Sequence, residues 1–97
     1  MTGLKFREID IKSNQTVTSK GYPAFIIVSS MKQIGCTENE IGILTGISRH
    51  HRKGIFFQGG RIATGWKGYL TLEFIIFGEA TIGKGEIVAH AIIFSEE

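Results

Sequence analysis

Trp66-Lys67-Gly68-Tyr69-Leu70-Thr71-Leu72-Glu73-Phe74 decides the fold class. Successive side chains of an extended chain point to opposite faces, so Trp66, Gly68, Leu70, Leu72 and Phe74 share one face and Lys67, Tyr69, Thr71 and Glu73 the other. That alternation is the pattern of a strand with one face on a core, and it sets Glu73 on the polar side. Further along, Ile87 to Phe94 is apolar on both faces, with Val88, Ile92 and Phe94 on one and Ile87, Ala89, Ala91 and Ile93 on the other. A strand of this kind needs cover on both sides. A chain of 97 residues has difficulty covering every strand twice, which points to a subunit interface.

The remaining apolar runs are short, rich in β-branched and aromatic residues, and bounded by Gly, Ser, Asn and Lys clusters. Leu4 to Ile11, Ala24 to Ser30, Ile41 to Gly46, Ile55 to Phe57, Tyr69 to Phe77 and Ile87 to Phe94 read as strands. Turns are expected at Asn14 and Gln15, Gly21 to Pro23, Gly59 and Gly60, Gly78 and Glu79, and Gly83 to Gly85. Thr37 and Glu40 have capping-box spacing, so Thr37 to Glu40 is expected to cap a single helical turn. The prediction is a nearly all-β chain without repeats, low-complexity tracts or linkers.

Composition agrees. Hydrophobic residues make up 42% and charged residues 21%, which excludes a disordered chain, and 13 Gly against one Pro call for many tight turns. The mean hydropathy is +0.10. One core of ordinary size is within reach, so a single domain spans residues 1–97. A net charge of +2 gives no reason to expect nucleic acid or an anionic membrane as partner. The lone Cys36 excludes an internal disulfide and reads as a small buried hydrophobe. No apolar run approaches the roughly 18 residues of a membrane span, so the expected address is the cytoplasm.

Three motifs, in this order, resemble the dUTPase and dCTP deaminase superfamily. They are Ser48-Arg49-His50-His51-Arg52-Lys53-Gly54-Ile55, then Gly60-Arg61-Ile62-Ala63-Thr64-Gly65-Trp66 running into Leu72-Glu73-Phe74, then Lys84-Gly85-Glu86-Ile87-Val88-Ala89-His90. The resemblance implies a distorted jelly roll of the dUTPase type assembled as a homotrimer. It also implies pyrimidine deoxynucleotide sites between subunits, with Mg2+ carried on the triphosphate. Ser48 and Arg52 would bind phosphates, a task that suits a hydroxyl beside a guanidinium fork. Without the resemblance they read as a turn residue and a solvated charge. Gly60, Arg61, Ile62 and Trp66 would meet base and sugar, the indole covering the deoxyribose; Trp66 is otherwise a core residue.

Two carboxylates carry the chemistry of the family. The dUTPase Asp that activates water in an Ile-Asp-x-Gly signature corresponds here to Ala63, which cannot accept a proton. The deaminase Glu that serves as general acid and base corresponds to Glu73, whose bland alternative is a solvated carboxylate or a partner of Lys67. The family's Arg before the motif serine is Ile47 here, and its Gln in the last motif is His90, either a phosphate donor or a satisfied core residue. The resemblance also implies an N-terminal motif and a C-terminal arm over the triphosphate. Neither is found between Met1 and Phe94-Ser95-Glu96-Glu97, so a truncated member is expected.

The first functional reading is a nucleotide-binding or protein-interaction module with weak or no catalysis. The second is a minimal dCTP deaminase or dUTPase, and the third a structural trimer that binds another protein. The basic run Arg49 to Lys53 reads as a solvated loop or phosphate-site rim rather than a nucleic-acid surface. His50 and His51, if extended, point to opposite sides, poor geometry for a shared metal.

Overall fold

The computed structural model describes residues 3–21 and 23–96; Met1, Thr2, Glu97 and Tyr22, within the turn expected from Gly21 to Pro23, lie outside the described residues. The chain forms β1 (Leu4–Lys12), β2 (Val17–Lys20), β3 (Ala24–Gly35), β4 (Glu40–Thr45), α1 (Ser48–Arg52), β5 (Ile55–Phe57), β6 (Gly60–Ile62), β7 (Lys67–Ile76), β8 (Glu79–Ile82) and β9 (Ile87–Glu96). A four-stranded sheet runs β1-β9-β4-β6, a three-stranded sheet β3-β7-β5, and β2 pairs with β8. Every one of these pairings is antiparallel.

Strand β7 follows the alternation of its sequence. Leu70, Leu72, Phe74 and Ile76 are buried, while Lys67, Tyr69, Thr71 and Glu73 are exposed. The inward residues meet Ile11, Ala89, Ala91 and Ile93 of the four-stranded sheet in one core, to which Ile62, Ile82 and Val28 also belong. Burying a side chain of this size contributes about 1.5–3 kcal/mol, which makes the inner faces the main stabilising feature.

Opposite Leu70 the ladder is irregular: β3 pairs Ser29 with Thr71 and Gln33 with Tyr69, so Ser30, Met31 and Lys32 oppose a single residue. Ser30 repairs the break. Its buried hydroxyl donates to Lys32 O at 2.7 Å and accepts the Leu70 N–H at 3.0 Å. Ser30→Ala leaves that buried N–H without an acceptor and is expected to cost about 1–3 kcal/mol, read as a lowered midpoint at unchanged slope in urea unfolding. An unchanged midpoint would show that water or a backbone shift replaces the hydroxyl.

Two expectations are corrected. Thr37 to Glu40 form a turn rather than a helical turn, and only half of the capping box is made: Thr37 N–H donates to Glu40 Oε1 at 2.9 Å, while Glu40 N–H donates to the Thr37 backbone O at 3.2 Å, as in a β-turn. The helix is instead at Ser48–Arg52, where a loop is expected. Its exit needs Gly54, at φ +83°, because a Cβ there would lie 2.5 Å from Phe77 O.

Both sheets leave apolar side chains on their outer faces. On the four-stranded sheet Phe6, Phe94 and Ile41 form one row across the strands, and Glu8, Ile92, Ile43 and Arg61 the next. On the three-stranded sheet Phe25, Ile75 and Phe56 form a row beside the Ile27 and Glu73 pair, with Phe25 78% exposed. The apolar outer side of β9 is therefore only half covered within one chain.

Candidate functional site

Helix α1 gives the phosphate motif its geometry. Ser48 and Arg52 stand one helical turn apart, and side chains four residues apart lie on the same helix face. Both are exposed, and among the described residues neither side chain has an ion-pair or hydrogen-bond partner. A free hydroxyl and a free guanidinium thus point from one face, with Arg49, His51 and Lys53 exposed around them. The helix still separates the two histidines: His50 is 3% exposed, whereas His51 is exposed and stacks on Phe56 with ring centroids 5.4 Å apart.

His50 Nε2 lies 2.7 Å from Glu86 Oε2. Its Nδ1 is buried without a partner among the described residues, and such an atom costs about 1–3 kcal/mol. Sequence reasoning missed this pair. The signal available was Glu86 in an otherwise apolar strand entry, with no indication of its distant partner.

Trp66 is 39% exposed, so it is not the core residue that its strand face allowed. The turn at Gly65, φ +76°, throws the indole back over Gly68, where a Cβ would lie 3.1 Å from the ring. One aromatic face is thereby left at the surface. Of the companion residues, Gly60 and Arg61 are exposed on β6, while Ile62 is buried and offers only its backbone. Ala63 is exposed at the hairpin, a methyl group where the resemblance places a carboxylate. The hairpin is tied to β4 by Thr64 Oγ1 donating to Glu40 O at 2.9 Å. The Glu40 carboxyl is held below its usual range, first by the Thr37 N–H and then by Arg7. This hold is present above the ordinary carboxylate range and is lost as the pH falls through the lowered value.

Glu73 is exposed on the outer face of β7, opposite Ile27. Its side chain has no partner among the described residues, and Lys67 lies too far along the same strand to pair with it. His90 is half-buried on the outer face of β9, which corrects its reading as a core residue. Strand β1 places two acids beside it: Nε2 lies 3.3 Å from Asp10 and Nδ1 3.5 Å from Glu8. The His90 ring is therefore engaged by its own chain.

Helix α1 and Trp66 do not meet within one chain. Helix α1 abuts the end of β7, where Phe77 N–H donates to Gly54 O at 2.8 Å, and Trp66 precedes its beginning. Ten residues of strand separate the two, about 30 Å. Among the described residues, no pocket within one chain uses both ends.

No family model and no curated protein matches the chain. Among solved structures, a mutant dUTPase of Staphylococcus bacteriophage 80alpha with dUpNHpp is similar at 19% identity and a TM-score of 0.76, over 94% of this chain and 89% of that one. The dUTPase from phage phi11 of S. aureus is similar at 17% identity and a TM-score of 0.75, over 94% and 88%. A mutant of the phi11 enzyme, described for its coordination of a structural Mg(II) ion, is similar at 18% identity and a TM-score of 0.75, over 94% and 89%. No helix among the described residues is long and apolar enough to cross a membrane. The all-β architecture of this chain is the dUTPase fold.

Proposed function

We propose that the chain is a homotrimeric, nucleotide-binding protein of the dUTPase and dCTP deaminase kind with weak or no catalysis. One observation carries the reading: the Ser48 hydroxyl and Arg52 guanidinium are exposed on one helix face without a partner among the described residues, while position 63 presents only a methyl group. The first pair suits phosphate oxygens. Ala63 removes the base that a dUTPase needs.

Assembly completes the site in this reading. The two outer apolar faces carry different residues, and contact between unlike faces makes a ring when the rotation between copies closes. Three copies are the number that the resemblance implies. Around such a ring the phosphate end of one chain faces the Trp66 end of its neighbour. Mg2+ would arrive with the triphosphate rather than through residues of the chain.

A thermal-shift panel of dUTP, dUMP, dCTP and dTTP with magnesium tests binding, since a ligand of the folded state must raise the melting temperature. A rise of several degrees with the triphosphates, smaller with dUMP, is expected; no shift with any of the four would sink nucleotide binding and leave a structural trimer that binds another protein. The second reading, a minimal dCTP deaminase, is favoured by the free exposed Glu73. It predicts ammonia release from dCTP that disappears in Glu73→Gln. Background rates with both dCTP and dUTP are expected.

A further inference from the structure

We propose that Glu86 is a positioning residue for the phosphate-binding turn: through His50 it fixes helix α1, and with it the side chains of Ser48 and Arg52. The assignment of phosphates to that turn rests on the nucleotide reading above; the latch itself stands on geometry alone.

Helix α1 cannot hold its own shape. It has five residues, its N-cap Ile47 makes no side-chain hydrogen bond, and no acidic residue sits in its first turn. A single turn of this kind is far below the length at which a helix is stable in water. Its anchor is His50, midway between Ser48 and Arg52, with the imidazole buried and Nε2 at 2.7 Å from Glu86 Oε2.

Glu86 is in turn tied into the loop between β8 and β9. Its Oε1 accepts the Gly83 N–H at 3.4 Å, its own N–H donates to Gly83 O at 3.0 Å, and its carbonyl accepts the Ser13 N–H at 3.0 Å. Gly85 N–H closes the same turn onto Ser13 O at 2.8 Å. Position thus passes from the end of β1 through the β8 to β9 turn to the carboxylate, the imidazole and the helix.

The chemistry of the pair argues for direction over stability. An ionised carboxylate only accepts, so His50 Nε2 must carry the proton and the buried Nδ1 is left bare. An apolar ring would fill the same space without that defect. In some folds buried polar pairs that cost more than an apolar substitute fix orientation instead, and that is the role assigned to this pair.

Three variants test the latch: Glu86→Ala, Glu86→Gln, which keeps an acceptor oxygen, and His50→Phe, which keeps the packing. In calorimetry with dUpNHpp and magnesium, Glu86→Ala and His50→Phe should bind at least about tenfold more weakly than the unaltered chain. Glu86→Gln should stay close to it. His50→Phe should melt no lower than the unaltered chain, so affinity and stability part company. Amide exchange at His51, Lys53 and Gly54 should accelerate about tenfold in His50→Phe and Glu86→Ala, with that of Leu72 in β7 unchanged. Long-range proton-nitrogen NMR should place the His50 proton on Nε2. Unaltered exchange at the helix in both variants, or an Nε2 without a proton, overturns the latch. Full affinity in both overturns its role at the site. An unaltered chain that binds no dUpNHpp overturns the nucleotide reading and the purpose assigned to the latch, while faster helix exchange would leave the latch itself in place.

Discussion

Ile43→Asp and Phe25→Asp, purified separately, will each sediment as single chains of 10.7 kDa, and mixing the two will produce a two-chain species. The unaltered chain at the same micromolar concentration is expected at three times that mass. Ile43 lies on the outer face of the four-stranded sheet and Phe25 on that of the three-stranded one, both exposed in the isolated subunit, so an aspartate at either position leaves the core intact. Within an interface the same carboxylate loses its water without gaining a partner, which costs upwards of about 2–3 kcal/mol at each contact around the ring. Mixing then tells which faces meet. If unlike faces join, the intact three-stranded face of Ile43→Asp finds the intact four-stranded face of Phe25→Asp, and one contact forms but no ring. If like faces joined, each variant would dimerise by itself through its untouched face. Trimers of either variant would place the interface elsewhere on the surface.

The face that makes this prediction possible was half legible in the sequence. Ile87 to Phe94 announced a strand apolar on both sides, and β9 indeed lies between β1 and β4 with His90, Ile92 and Phe94 outward and only half covered. The neighbours of those residues were not legible, because cross-strand register depends on pairings far apart in the chain. Glu8 and Asp10 flank His90 only because β1 pairs with β9. Without that pairing, His90 among apolar neighbours reads as core. The short strands β2, β6 and β8 were invisible for the same reason: β2 and β8 are four residues each and exist as strands only through each other.

The helix was missed for a different reason. Ser48-Arg49-His50-His51-Arg52 has no side-chain cap and no apolar stripe, and its buried tie is an imidazole on a carboxylate 36 residues away. Local spacing favoured Thr37 to Glu40, where the Glu40 carboxylate does reach the Thr37 N–H but the segment closes a turn between strands. In both segments the side-chain chemistry was readable, and tertiary partners decided the backbone. Glu73 shows the opposite case. Alternation alone put it on an outer face, and no distant partner among the described residues intervenes.

Because the phosphate end and the Trp66 end of a chain are about 30 Å apart, a defective pair of chains should repair each other. Arg52→Ala removes the guanidinium and should weaken triphosphate binding about 10- to 100-fold, the worth of a charge-assisted bond lost. Trp66→Ala removes the stacking face at a comparable cost. Each variant alone leaves every site of its own trimer damaged. Refolded together in equal amounts, the two populate rings at random, and a site is whole wherever an intact Arg52 of one chain faces an intact Trp66 of the next, which holds for about a quarter of all contacts. Calorimetry with dUpNHpp should therefore recover tight binding at about a quarter of the unaltered stoichiometry, with the remaining sites weak. A mixture that binds no better than its components would mean that both residues serve one pocket within a single chain, which their placement at opposite ends of β7 forbids, or that only one of them touches the nucleotide. The two escapes separate on the single variants: if only Arg52 contacts ligand, Trp66→Ala retains full affinity before any mixing.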